Sequence, residues 1–158
     1  MKIFGKSLSE YVSFGRGFLV LVLVVGLARL ILSLLGAPNA TTKFLSITVV
    51  LLLATIYYSV TVYTSGFGSY KQLLPVLALQ VILGTCIVIT GIVISILTGK
   101  DNIFSAPEYS PGRVDGKNWG HVGGHVVAMI ILPIILWAIG SLIMLVTKKL
   151  SGPREQRA

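Results

Sequence analysis

Four runs of apolar residues, each close to twenty long, fill most of the chain, and short breaks rich in Gly, Pro, Ser and Thr separate them. A bilayer core about 30 Å thick takes roughly 20 apolar residues in a helix. The pattern therefore predicts an all-α integral membrane protein with four transmembrane helices in a bundle, at about 17–35, 42–64, 72–98 and 121–147. Residues 1–16 read as a short amphipathic interfacial segment, because Phe4, Leu8, Tyr11, Val12 and Gly15 recur at helical spacing. Ser7 and Glu10 in this segment fit a capping box. Residues 148–158 read as a basic tail.

The breaks have turn chemistry. Gly36-Ala37-Pro38 ends the first helix, and Ser65 to Ser69 ends the second. Thr42 is a possible N-cap for helix two. The start of helix three is ambiguous by a turn: Pro75 belongs in a first turn, whereas Ser69 and Gln72 form a capping-box pattern earlier. Pro133, inside helix four, predicts a kink near Met129 to Pro133. Gln80, Gly84, Gly91, Ser95 and Thr98 draw a small, polar stripe along helix three, which in lipid calls for another helix packed against it. The first run is read as retained rather than cleaved, since Pro38 spoils the one plausible cleavage site after it.

Composition agrees with the pattern. The chain is 54% hydrophobic and 11% charged, with a mean hydropathy of +0.90, too little polar surface for a water-soluble domain of 158 residues. A net charge of +8 would suggest nucleic acid in a soluble protein. Here the basic residues flank the spans, so the expected partner is a bilayer with anionic headgroups on its cytoplasmic side, and no nucleic acid. The N-terminal segment, the second connection and the tail hold Lys2, Lys6, Arg16, Lys71, Lys148, Lys149, Arg154 and Arg157; the opposite side holds Lys43, Lys100, Arg113 and Lys117. By the positive-inside rule both termini are cytoplasmic and 99–120 is an outer loop. Small size and short tails point to a bacterial plasma membrane.

The candidate chemistry is sparse. His121 and His125 are the two histidines of the chain, and their i, i+4 spacing puts both imidazoles on one helix face. With Asp101, Glu108 and Asp115 they are the expected ligands for a divalent metal, zinc or copper. Haem held between two histidines is disfavoured, because adjacent turns of one helix cannot reach opposite faces of the same iron. The lone Cys86, inside an apolar run, excludes an intramolecular disulfide or a CxxC pair and reads as a packing residue. Arg29, Gln80, Tyr57 and Tyr58 are the notable polar groups within spans. Arg29 either snorkels to the outer surface or turns inward to pair with Asp101, and the two tyrosines should face protein to find hydrogen-bond partners. Ser110-Pro111-Gly112-Arg113 reads as a turn, and the glycines between 112 and 124 suit close packing or a ligand loop.

No pair of these groups has a spacing specific to a reaction. The reading that needs fewest assumptions is a non-catalytic membrane subunit that works through its helix faces and the 99–120 loop, with other membrane subunits or a second copy as partner. The alternative is an outward-facing metal or substrate site at His121 and His125.

Overall fold

The first turn of helix forms well before the apolar run begins. Ser7 caps it: its Oγ accepts from the Glu10 amide (3.3 Å), and the Glu10 carboxylate accepts from the Ser7 amide (2.7 Å). In this computed structural model, which describes residues 2–109 and 115–151, helix α1 then runs unbroken over Leu8–Leu34. Residues 8–16 of the expected amphipathic segment are thus continuous with the first span in α1. Ahead of it lies a small hairpin, β1 (Lys2–Ile3) antiparallel to β2 (Lys6–Ser7). Its turn places Phe4 and Gly5 at φ of +48° and +89°, the left-handed pair that a two-residue hairpin demands.

After Gly36 (φ +86°) a single turn, α2 (Asn39–Thr42), precedes α3 (Ile47–Thr64). Ser46 rather than Thr42 caps α3, its Oγ accepting from the Val49 amide at 3.3 Å. Helix α4 covers Tyr70–Thr98 and starts at the earlier of the two expected positions, since the Ser69 amide donates to Gln72 Oε1 at 2.8 Å. Pro75 therefore lies inside the helix, beyond its first turn. Gly99, at φ +69°, ends it in the left-handed conformation. A 3-10 turn at Pro107–Tyr109 leads towards α5 (Trp119–Leu150), which Asn118 caps by accepting from the His121 amide at 2.8 Å. α1, α3 with its preceding turn, α4 and α5 are all long and apolar enough to cross a membrane.

α4 is the centre of the packing and touches α1, α3 and α5, whereas α1 and α5 pack chiefly through it. The small-residue stripe on α4 explains this. A Cβ on Gly84 would stand 2.9 Å from the Ile47 side chain, and one on Gly91 would stand 2.6 Å from the Phe104 ring. Gln80 and Ser95 on the same stripe are buried. α5 behaves differently along its length: its buried residues are Pro133, Leu136, Gly140 and Met144, all at or beyond the proline. Pro133 removes one backbone hydrogen bond from an otherwise continuous helix, and the half of α5 preceding it is only partly buried, with Val122 and Leu132 against the core.

The hydrophilic connection is not an open loop throughout. Asn102, Ile103, Phe104, Ser105 and Ala106 are buried. The Asn102 amide donates to the Gly91 carbonyl (2.6 Å) and to Ser95 Oγ (2.8 Å), and the Ile103 amide donates to Ser33 Oγ on α1 (2.8 Å). This segment plugs one end of the helix assembly. The expected turn at 110–113 and most of the tail lie outside the described residues.

Candidate functional site

The plug and the partly buried half of α5 border a cavity of about 290 Å³ between the helices at the plugged end. Arg29 from α1, Thr48 from α3, Thr85 from α4, and His121 and His125 from α5 line it, with Ile103 and Phe104 of the plug. The two imidazoles share one face as their spacing predicted, with ring centroids 5.0 Å apart. Nδ1–H of His121 donates to the Gly116 carbonyl (3.1 Å), and because a carbonyl can only accept, the proton sits on Nδ1. Nε2 of His121 is left to accept when the ring is neutral and to donate when it is charged.

Arg29 does not follow either expectation in full. It is half-buried and lines the cavity, and its guanidinium lies over the Phe104 ring at 5.2 Å from the centroid. The anticipated partner Asp101 instead accepts from Lys117 Nζ at 2.6 Å. Lys117 also sits 3.5 Å from Asp115. The Asp101 hydrogen bond holds the Lys117 ammonium above its ordinary pKa, and the Lys117 amide, donating to Asp115, holds that carboxyl below its ordinary range. Glu108 is pulled down in the same direction by the Asn39 amide, which donates to it at 2.7 Å.

The five expected metal ligands are therefore not brought together as one set. The acids are engaged with Lys117 and Asn39, while the histidines line a cavity with an arginine. Among the described residues no three His, Cys, Asp or Glu side chains are grouped to hold a metal ion. A cation would also meet the Arg29 charge there.

Two other expected polar residues form a separate buried site near the hairpin end. Tyr58 is 2% exposed and Gln80 is 1% exposed. The Tyr58 hydroxyl (3.0 Å) and Gln80 Nε2 (3.2 Å) both donate to the Gly15 carbonyl. Gly15 permits this, since a Cβ there would stand 3.3 Å from Gln80 Nε2. Tyr57 departs from expectation: it is half exposed on the outer face of α3 and stacks obliquely against Phe18. Cys86 is likewise exposed on α4 and does not pack in the core.

Comparison with protein-family models, with curated proteins and with solved structures finds no match for this chain.

Sequence reading missed Phe104, Thr85 and Asn102 as parts of this end of the molecule. A signal for the plug exists in Asn102-Ile103-Phe104-Ser105-Ala106, an uncharged stretch holding two large apolar residues inside an otherwise hydrophilic connection. Thr85 carries no such signal, because a threonine within an apolar run looks the same wherever it points.

Proposed function

We propose that this chain is a non-catalytic multi-pass membrane protein that binds an anionic ligand in the cavity lined by Arg29, His121 and His125. One observation carries the reading: three basic side chains from two helices line a single cavity, and none of the described residues lining it is a carboxylate. An anion offsets the Arg29 charge and accepts N–H groups, whereas a metal ion would need the acids that Lys117 and Asn39 engage.

The chain lies across the bilayer as a four-helix bundle with both termini cytoplasmic. In support, the hairpin, the turn before α4 and the end of α5 gather at one end: Gln72 Nε2 donates to the Phe4 carbonyl (2.8 Å), and Lys148 lies over the Tyr70 ring (4.0 Å). Lys6, Lys71, Lys148 and Lys149 are thereby collected on one side, as the positive-inside rule asks of the cytoplasmic face. The cavity then opens in the outer half of the membrane.

Thermal unfolding of the protein in a non-ionic detergent tests the reading. Anionic amphiphiles should raise the melting temperature saturably, zwitterionic phosphatidylcholine should not, and an Arg29→Gln variant should lose the response. A shift produced by zinc or copper and by no anion would replace it with the metal site.

A second reading, assembly with another membrane subunit or a second copy, is favoured by Gly123 and Gly124, where an added Cβ would meet nothing within 4 Å. Small residues facing outward on α5 suit close approach of a partner helix. Cysteine substituted at Gly124, in a Cys86→Ser background, should crosslink between chains in membranes; no crosslinked species would remove this reading.

A further inference from the structure

Resting on the anion-binding reading, we propose that the group held in the cavity is a phosphate. The donors decide the class. A carboxylate presents two oxygens in a plane, and the fork of one guanidinium satisfies both. Arg29 lines this cavity from α1, the histidines line it from α5, and Thr48 and Thr85 line it from α3 and α4. Donors spread over four helices match a tetrahedral group whose oxygens point in several directions. A guanidinium carries five N–H donors, so Arg29 can keep its protein neighbours and bind a phosphate as well. Arg29 supplies a permanent positive charge, and a phosphate ester carries between one and two negative charges near neutral pH.

The source of the phosphate follows from size and surroundings. At about 290 Å³ the cavity is at the lower limit of ligand pockets. It admits a headgroup and no more. Thr48, on its rim, is exposed, and the next turns of α3 and α5 expose Leu52, Ile56, Ile131 and Ile135. An acyl chain attached to the phosphate would lie along that apolar surface. A phosphate-bearing lipid therefore fits better than free phosphate, which would leave this surface unused.

The test uses the full chain purified in non-ionic detergent, with phosphatidic acid, inorganic phosphate and oleate as separate probes. Saturable thermal stabilisation and retained adducts in native mass spectrometry are the readouts. Phosphatidic acid should bind at least tenfold more tightly than oleate, and Arg29→Gln should abolish that difference. If Arg29→Gln does not fold, the His121→Gln, His125→Gln double variant, whose side chains are only half-buried, carries the same expectation. Saturation by inorganic phosphate as tight as by phosphatidic acid would keep the phosphate and assign it to a soluble source. Oleate binding as well as or better than phosphatidic acid would overturn the phosphate while leaving the anion site intact. Failure of all three probes would overturn both.

Discussion

Phe104 lies with its ring against the bare Cα of Gly91, so close that a Cβ at that glycine would stand 2.6 Å from the ring carbon Cδ2. This contact joins the plug to α4 and supports the ring over which Arg29 is held. The hydrophilic connection and the cavity are therefore parts of one device, since a displaced Phe104 moves both a wall of the cavity and the support for its guanidinium.

Gly91→Ala should force Phe104 aside and cost about 1–3 kcal/mol, as overpacking does in tight cores. Gly123→Ala is the matched control, because nothing stands within 4 Å of its added Cβ. It should change stability by no more than about 0.5 kcal/mol. Melting temperatures of the two variants in the same detergent check the contrast; equal effects would mean that the plug does not seat on Gly91.

Asn102→Ala removes the amide that joins the plug to the Gly91 carbonyl and Ser95 Oγ. Losing buried hydrogen bonds of this kind should cost about 1–3 kcal/mol. Hydrogen exchange should report the loss locally, with faster exchange of the Ile103 and Phe104 amides and little change along α3. Protection unchanged at both amides would place the plug's stability elsewhere.

The Gly15 carbonyl accepts from both Tyr58 and Gln80, so these side chains are not independent. Tyr58→Phe alone should cost about 0.5–1.5 kcal/mol. Combined with Gln80→Leu, the total should differ from the sum of the single changes, as expected for residues sharing one partner. A double-mutant cycle by thermal unfolding measures this, and simple additivity would dissolve the proposed coupling.

The charges of the connection give a pH signature. Asp115 and Glu108 have folded pKa values below their ordinary ones, so their contribution is present at neutral pH and is lost as pH falls through those lowered values. Lys117 is shifted upward, so its contribution is present at neutral pH and is lost only as pH rises through its raised value. Asn39→Ala should return the Glu108 titration towards its ordinary range, read by carbon NMR of the carboxyl. Lys117→Met should raise the Asp115 titration only slightly, because the backbone amide that chiefly lowers it is kept. Because both shifts rest chiefly on hydrogen bonds from uncharged amides, added salt should leave most of each shift in place.

Much of the architecture was legible along the chain. The four apolar runs mark the four long helices, because a helix that must satisfy its own backbone hydrogen bonds in lipid needs an uninterrupted apolar length. Ser7 with Glu10 and Ser69 with Gln72 mark two helix starts, because capping is local: donor and acceptor are three residues apart. The stripe from Gln80 to Ser95 announces a packing face, since residues at those steps share one side of any helix. The same locality leaves the start of α1 at Leu8 instead of near residue 17 unmarked by the apolar run, as the helix continues without a break from the amphipathic segment into the span.

What the tertiary structure alone decided is which groups meet. Arg29 and His125 are 96 positions apart, and no periodicity tells that α1 and α5 turn their basic residues into the same cavity. Asp101 and Lys117 pair because the connection folds back on itself, a long-range closure that redirects the acid from Arg29 to a lysine. Local sequence determines hydrogen bonds and apolar faces within a turn or two of each residue; the polar contents of the cavity depend on how whole helices are set beside one another. That difference in range is why four helices could be read from the chain, whereas the separation of the histidines from the acids of the connection could not.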